Sequence, residues 1–175
     1  MDGVVQSVDP DDALSGYWQA MIPERRPESA LLLGLGGGTV AHLLVRRFGP
    51  LPITGVELSS EMIALARREF ALAELPLTIV QADALQFVHS TGERFGYIAV
   101  DLYRGNRLVR GVLALPFLRA LAARLLPGGT VACNLFCDAH LEGRLQRLER
   151  LFERLRLDLV GANAIVHARP RRPQR

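Results

Sequence analysis

Short apolar runs alternate with helical patterns along most of this 175-residue chain. The runs are continuously apolar, as is typical of parallel strands that are buried on both faces. Strands and helices that alternate in this way form a mostly parallel sheet with right-handed crossovers. Two last strands, "LDLVGAN" and "AIVHARP", are predicted to form an antiparallel pair. The pattern predicts an α/β fold: a doubly wound, Rossmann-like sheet with helices on both faces.

Three helical patterns carry more detailed predictions. In "SSEMIALARREFALAEL", Ser59 or Ser60 can cap the helix and Glu61 favours its first turn. "LALPFLRALAARLL" predicts a helix that ends at "PGG" and precedes the strand "TVACNLF". "HLEGRLQRLERLFERL" predicts one long helix with six apolar side chains on a single face: Leu141, Leu145, Leu148, Leu151, Phe152 and Leu155.

Length and composition fit one ordinary domain, because 49% apolar residues suffice for a single core. We expect an N-terminal arm over 1–28, a ligand-binding domain over 29–169 and a disordered basic tail over 170–175. No apolar stretch approaches the ~18 residues of a membrane span, and the N-terminus has no signal-peptide pattern. The predicted location is therefore cytoplasmic, without a membrane partner.

The net charge of +3 comes from the tail "RPRRPQR". All 21 basic residues are arginine, and four of them lie in that tail, which leaves 17 arginines against 18 acidic residues in the rest of the chain. Nucleic-acid binding is therefore not expected. The absence of lysine excludes Schiff-base chemistry and the phosphate-loop lysine, and so disfavours nucleoside triphosphate hydrolysis.

Cysteine and histidine give no sign of a metal site. Cys133 and Cys137 are four residues apart, which does not fit a zinc knuckle, and both are expected to be reduced thiols. The four histidines are scattered and form no HxxxH pattern. No metal is predicted. A homodimer is plausible through Phe136, Phe152 and an exposed sheet edge.

The stretch "LLLGLGGGTV", residues 31–40, ends the first apolar run in glycines. Gly34, Gly36 and Gly38 fit GxGxG, which allows a tight turn and lets a ligand approach the backbone. The ligand can be a phosphate, a dinucleotide or a nucleoside with a charged tail; the alternative is a tight turn that binds nothing.

Acidic residues follow the next three strands, at the sheet edge where ligands of such folds bind. Glu57 lies 23 residues after Gly34, close to the ~20 expected for a carboxylate that binds ribose hydroxyls. Asp83 can accept from an adenine amino group, and Asp101 follows the fourth strand. As alternatives, Glu57 and Asp83 can each cap the helix that follows. The same geometry serves NAD, but Thr39 replaces the third glycine and no separate catalytic domain is evident, so NAD is the lesser candidate.

Taken together, several segments resemble the spermidine synthase-like branch of the class I S-adenosylmethionine-dependent methyltransferase superfamily. They are "LLLGLGGGTVAHLL", "VELSSEMIALARREF", "QADALQFV", "FGYIAVDLY" and "LLPGGTVACNL". The resemblance spans about residues 3–137, and "DGVVQS" with Tyr17 is similar to elements that precede the glycine loop in aminopropyltransferases.

The resemblance implies S-adenosylmethionine, or its decarboxylated form, as cofactor. It also implies roles for individual residues. Gln6 and Tyr17 would approach the cofactor tail or the substrate, and Asp101 would deprotonate or orient the nucleophile and border the cofactor. The remaining implied cofactor residues are Gly34, Leu35, Gly36, Gly38, Glu57, Leu58, Asp83 and Ala84. Of these, Glu57 would hold the ribose, while Asp83 and Ala84 would flank the adenine.

Two departures from the aminopropyltransferase pattern bear on the substrate. Gly37 stands where the glycine loop of those enzymes carries an aspartate, and Arg104 stands where their catalytic loop carries its second acid. An arginine does not help to hold a cationic amine. Arg104 and Arg107 can instead attract an anionic acceptor, or they are solvated loop residues.

The sequence therefore predicts an S-adenosylmethionine-dependent transferase that acts on a small molecule, with methyl transfer favoured over aminopropyl transfer. Asp101 is the predicted base, and Tyr103, two residues further on, either borders the acceptor or packs under the loop. Aminopropyl transfer from decarboxylated S-adenosylmethionine is the second prediction, supported by "DGVVQS" and Tyr17. A non-catalytic nucleoside-binding module is the third.

Overall fold

The structure, a computed structural model, describes residues 16–171. Gln6 lies outside these residues. The helices are α1 Thr39–Phe48, α2 Ser60–Glu69, α3 Ala84–Ser90, α4 Leu115–Ala123 and α5 Leu141–Glu149, with a 3₁₀ turn at Leu72–Glu74. The strands are β1 Ala30–Leu33, β2 Ile53–Glu57, β3 Leu77–Gln81, β4 Phe95–Val100, β5 Tyr103–Arg104, β6 Arg107–Leu108, β7 Leu125–Phe136, β8 Phe152–Val160 and β9 Asn163–Pro170.

A seven-stranded sheet forms the centre of the fold, in the order β3-β2-β1-β4-β7-β9-β8. The five strands from β3 to β7 in this order are parallel, and β9 runs antiparallel to both β7 and β8. The predicted doubly wound α/β sheet with its C-terminal antiparallel pair is thus confirmed. Strand order reverses between β1 and β4, which is where such sheets bind ligands.

The sheet is covered on both faces, as the continuous apolar runs predict. Alternate residues of β1 enter different cores: Leu31 and Leu33 belong to one, Ala30 and Leu32 to the other. The first core is closed by α3, α4 and α5, and the second by α1 and α2. Because strand side chains alternate between faces, a strand buried on both sides has no polar positions.

The N-terminal part of the described chain packs onto the second core. Met21 and Ile22 are buried there, and the Tyr97 hydroxyl donates a hydrogen bond to the Met21 carbonyl. At the other end, β9 extends to Pro170, and the Arg171 amide donates to the Leu151 carbonyl. The division into an arm over 1–28, a domain over 29–169 and a tail over 170–175 stays a prediction. In the described range, no helix is long and apolar enough to cross a membrane.

The long helix predicted over 140–155 is wrong in its second half. Helix α5 ends at Glu149, and Phe152 and Leu155 lie on strand β8, which pairs with β9 from Phe152 to Val160. Cross-strand pairing and burial of Phe152 override the helical period, because neither is visible in a local pattern. Phe152 is fully buried, so it offers no surface for the dimer contact suggested from the sequence.

The segment "PGG" does not end a helix directly. Helix α4 ends at Ala123, and β7 already begins at Leu125. Phe95 pairs with Leu125 but Tyr97 pairs with Thr130, so the three residues after Leu126 form an irregularity inside the strand. Glycine and proline are typical of such bulges.

Candidate functional site

A cavity of about 620 Å³ lies at the carboxyl ends of β1 to β4, at the point where strand order reverses. We call it the main cavity. The structure brings these sequence-predicted residues together in its wall: Tyr17, Gly34, Leu35, Gly36, Glu57, Leu58, Asp83, Ala84, Asp101 and Tyr103. Gly38 does not line it. It is the N-cap of α1, and a Cβ on it would lie 2.4 Å from Leu72 Cδ2.

The glycine loop follows β1 in a left-handed backbone conformation. Gly34, Gly36 and Gly38 have φ of 87°, 52° and 81°, where a Cβ is strained. At Gly34, a Cβ would also lie 2.2 Å from the backbone oxygen of Asp101. Glycine is therefore required at Gly34 by the close approach of the loop to the end of β4, even before any ligand is considered.

Glu57 joins the glycine loop to the start of α2. Its Oε2 accepts from the Gly36 amide at 3.1 Å, and its Oε1 accepts from the amides of Leu58 at 2.9 Å and Ser59 at 3.0 Å. The cap of α2 itself is Ser59, as one of the two predicted candidates, since its Oγ accepts from the Met62 amide. Glu57 therefore stands at the cavity wall with its position fixed by three donors.

Leu58 and Asp83 continue this wall. Leu58 is 50% exposed, which gives the cavity an apolar surface beside a carboxylate. Asp83 caps α3, since its Oδ1 accepts from the amides of Leu85 at 2.8 Å and Gln86 at 3.1 Å. Asp83 therefore has the capping role that was predicted as one alternative. Both capping bonds are made by Oδ1, so Oδ2 is not used by the cap.

Asp101 directly follows β4, and its two carboxylate oxygens have different partners. Oδ2 accepts from the Tyr17 hydroxyl at 2.8 Å, and Oδ1 accepts from Asn134 Nδ2 at 2.9 Å. Burial raises the pKa of this carboxyl above its usual value, and the hydrogen bonds from Asn134 and Tyr17 partly offset that rise. The result is a fixed carboxylate with a stronger affinity for a proton than a solvated aspartate has.

Asn134 is the residue of this site that sequence reasoning missed. It lies on β7, is 2% exposed, and its Oδ1 has no hydrogen-bond partner within the described residues. A buried polar atom without a partner is costly to the folded state. The signal in the sequence was a lone asparagine in the apolar run "TVACNLF".

Tyr103 both packs under the β5–β6 hairpin and lines the cavity. Its hydroxyl donates to the Asn134 carbonyl at 3.1 Å, and its ring meets Phe136 edge to face at 4.9 Å between centroids. Burial raises the pKa of the Tyr103 hydroxyl, so it stays protonated near neutral pH. Tyr103 is therefore packed and also borders the main cavity, with Arg104 exposed beside it, so its predicted contact with the acceptor stays a prediction.

The main cavity combines an acidic wall with apolar surface. The charged side chains that line it are Glu57, Asp83, Asp101 and Arg104. Within residues 16–171, no three His, Cys, Asp or Glu side chains are grouped so that they could hold a metal ion. Both cysteines are free; Cys133 is buried, which raises the pKa of its thiol to about 12.

Comparison with known proteins gives relatives of two kinds at the sequence level. A family model described as a methyltransferase domain matches residues 30–129. A polyamine aminopropyltransferase of Chromobacterium violaceum is 27% identical over 161 residues, which are 88% of this chain and 62% of that protein. A probable polyamine aminopropyl transferase of Bifidobacterium longum is 30% identical over 108 residues, which are 61% of this chain and 24% of that protein. This chain thus spans about three fifths of the first relative and a quarter of the second.

Solved structures share the fold. Human methyltransferase-like protein 13, in complex with SAH, has a TM-score of 0.74 at 21% identity, over 94% of this chain and 81% of the other. A probable spermidine synthase from Corynebacterium glutamicum has a TM-score of 0.69 at 22% identity, over 81% of this chain and 55% of the other. The family model covers more than half of the chain, from β1 into β7. The chain therefore belongs to the methyltransferase domain family, in its spermidine synthase-like branch.

Proposed function

We propose that this protein is an S-adenosylmethionine-dependent transferase that transfers a methyl group to a small-molecule acceptor. The observation that carries the proposal is the half-buried Asp101 carboxylate, held by Tyr17 and Asn134 in the same cavity as Glu57. The Asp101 carboxylate therefore faces the same cavity in which Glu57 offers a carboxylate for a nucleoside.

The residues of the main cavity fit this cofactor. Glu57 offers a carboxylate for ribose hydroxyls, and the exposed Leu58 offers an apolar surface for the adenine, next to Asp83. When bound, S-adenosylmethionine supplies a methyl group attached to positively charged sulfur; on transfer the sulfur keeps the electrons of the broken C–S bond and becomes a neutral thioether.

The Asp101 carboxylate can orient the acceptor and take its proton. A nucleophilic N–H or O–H that donates to this carboxylate is oriented toward the reacting carbon, and the carboxylate takes the proton that the nucleophile loses. Because burial raises the pKa of Asp101, proton transfer to it is more favourable than to a solvated carboxylate. Tyr17 and Asn134 hold the carboxylate in place and do not themselves need to react.

Methyl transfer is favoured over aminopropyl transfer by the charge around Asp101. The β5–β6 hairpin, which follows Asp101, presents Arg104 to the main cavity and no second carboxylate. A polyamine acceptor is a dication, which Arg104 would repel.

Aminopropyl transfer remains the second candidate because of one contact. Tyr17 belongs to the upstream segment that resembles aminopropyltransferases, and its hydroxyl donates directly to Asp101. The aminopropyltransferase relatives at 27% and 30% identity support the same candidate.

Calorimetric titration with S-adenosylmethionine, its decarboxylated form and NAD tests the proposal. We expect S-adenosylmethionine to bind best. Glu57→Gln should weaken binding by about tenfold or more, because one of the two acceptor oxygens of the carboxylate becomes an NH2 donor. Glu93→Gln is the matched control, since Glu93 is exposed and lies outside the cavity. Circular dichroism checks that both variants fold.

Preference for decarboxylated S-adenosylmethionine would instead favour aminopropyl transfer. Binding of NAD alone, or of none of the three ligands, would contradict the proposed cofactor.

A further inference from the structure

A second cavity, of about 660 Å³, adjoins the main cavity. One wall comes from the β5–β6 hairpin and the loop after it, and the opposite wall from α5 and the residues before it. Asn106, Val109 and Phe136 line both cavities. A single elongated molecule can therefore occupy the two cavities together, with Val109 and Phe136 against its middle part.

The charge of this second cavity is opposite to that of the main cavity. Five arginines line it: Arg107, Arg110, Arg144, Arg147 and Arg150. The carboxylate among its lining residues is Asp138, and Arg144 occupies both of its oxygens, with Nη1 at 2.6 Å from Oδ1 and Nη2 at 2.9 Å from Oδ2. We call it the arginine cavity.

The other four arginines are not neutralised by the protein. Across residues 16–171, none of Arg107, Arg110, Arg147 and Arg150 forms an ion pair. The neighbouring carboxylate Glu149 is paired with Arg154. Four positive charges around a concave surface with apolar walls attract anions more strongly than the same charges on a flat surface.

Stabilisation of α5 explains only part of this arrangement. Arg147 and Arg150 lie at the C-terminal end of that helix, where positive charge is favourable without any ligand. Arg107 and Arg110 belong to the facing wall and are not in the last turn of a helix. These exposed arginines line one cavity from two separate elements, and an anion bound between them would reduce the repulsion of their like charges.

We propose that the arginine cavity binds an anionic group of the acceptor, a carboxylate or a phosphate. The nucleophilic end of the same small molecule then reaches Asp101 in the main cavity. This inference rests on the proposed function and specifies its substrate class: an acceptor with a nucleophile at one end and an acid at the other. Guanidinium groups match carboxylates and phosphates by paired hydrogen bonds, whereas they repel a polyamine.

Titration of the full chain with simple probes at low ionic strength tests this assignment. The probes are glutarate for the carboxylate source, pyrophosphate for the phosphate source, putrescine for a cation and a short single-stranded oligonucleotide for a macromolecular anion. We expect glutarate or pyrophosphate to bind, and Arg107→Gln and Arg147→Gln each to weaken that binding by about tenfold. Whichever of the two anions binds more tightly identifies the acidic group.

Arg119→Gln is the matched control, because Arg119 is an exposed arginine on α4 outside both cavities. It should leave anion binding unchanged. Failure of both anions to bind, or equal losses in Arg119→Gln, would overturn the inference. Tighter binding of putrescine than of either anion, or of the oligonucleotide through the same arginines, would also overturn it.

Titration of S-adenosylmethionine into the same samples separates this inference from the proposed function. Cofactor binding without anion binding would overturn the acceptor class alone. Anion binding without cofactor binding would contradict the proposed function and still support an anion site in the arginine cavity.

Discussion

At the scale of single residues, the chemistry depends on the surroundings of Asp101. Burial disfavours its ionised form, and two donors favour it: the hydroxyl of Tyr17 and the amide of Asn134. Because the burial effect is the largest, the net pKa is raised. The same carboxylate is therefore useful as a base and costly to the folded state whenever it is ionised.

Asp101→Asn should separate these two consequences. Asparagine keeps the size of the side chain but cannot take a proton, so we expect activity to fall by about 10²–10⁴-fold. The raised pKa of Asp101 means that the folded state binds its proton more tightly than the unfolded state, so its ionisation destabilises the fold as pH rises above ~4. The variant should consequently have a higher Tm than the wild type near pH 7.

Thermal unfolding at two pH values checks the sign. Below about pH 3.5 both states are protonated, so the Tm advantage of Asp101→Asn should shrink or vanish. A lower Tm for the variant at neutral pH would show that the carboxylate stabilises the fold, against the expected direction.

Tyr17→Phe tests the hydrogen bond to Asp101 through a pH profile. The variant loses a donor that stabilises the charged carboxylate, so the pKa of Asp101 should rise further. The acid limb of the pH profile of kcat/KM should then move to higher pH, because Asp101 ionises only at a higher pH. Tyr103→Phe is the control, since that hydroxyl donates to the Asn134 carbonyl instead. An equal shift in both variants would mean that the Tyr17 contact is not responsible.

At the scale of elements, the turn between β1 and α1 shows that a glycine motif can be required for packing as well as for binding. Gly34 is left-handed, with φ of 87°, and a Cβ would meet the Asp101 carbonyl oxygen at 2.2 Å. Gly49, at the end of α1, has φ of 75° and ψ of −176°, a backbone region essentially restricted to glycine, but a Cβ there would have nothing within 4 Å. The two positions share backbone strain and differ in the close contact.

Gly34→Ala and Gly49→Ala therefore form a matched pair. We expect Gly49→Ala to lower the free energy of unfolding by ~1–3 kcal/mol, from backbone strain alone. Gly34→Ala should cost more than ~3 kcal/mol, because the backbone of β4 cannot move away easily. Urea unfolding measures both. Equal losses would mean that the contact with Asp101 relaxes without cost.

Local patterns predicted the elements whose signals are complete in sequence. Helix α2 begins directly after the predicted cap Ser59, and helix α4 lies within the stretch "LALPFLRALAARLL" that predicted it. The segment over 152–155 continues the helical spacing of apolar residues, yet it lies in β8 and pairs with β9. The partner strand β9 follows directly after the turn at 161–162, and the pair was predicted, but the spacing of apolar residues does not show that the pairing extends back to Phe152.

The same distinction holds for the candidate site. Glu57, Asp83 and Asp101 could be placed from the sequence, because each follows a strand at the edge where parallel strands meet. Asn134 could not, since its role depends on β7 lying beside β4, which brings its amide to Asp101. An anionic acceptor near Arg107 was weighed from the sequence, but the arginine cavity was not, because Arg107 and Arg147 are separated by forty residues and line one cavity only in the fold.

At the scale of the whole molecule, the segment that carries Tyr17 is bound to the last two strands of the sheet, β8 and β9. The Ala20 carbonyl accepts from Arg156 Nη2 on β8 at 3.0 Å and lies 2.6 Å from His167 Nε2 on β9. Tyr17 and Trp18, whose rings are 4.6 Å apart, lie near the start of the same segment. Whatever loosens Ala20 should therefore also disturb the donor to Asp101.

Acidification should loosen this segment through His167. Burial lowers the pKa of His167, with a smaller contribution from the nearby Arg156 guanidinium, while the hydrogen bond to Ala20 opposes the shift. The unfolded chain consequently takes up a proton near pH 6.5 that the folded chain does not, so stability falls as pH drops through that value. Because a charged imidazole beside Arg156 is repelled, we expect the contact around Ala20 to open first.

Trp18 reports this opening, since it is the single tryptophan of the chain. Between about pH 7 and pH 5 its emission should shift to longer wavelength before the far-ultraviolet circular dichroism changes. His167→Gln, which does not titrate, should remove most of this early shift, whereas His89→Gln, at an exposed helix end, should leave it unchanged. If the early shift persists in His167→Gln, another group controls the segment and the pH dependence assigned to His167 is wrong.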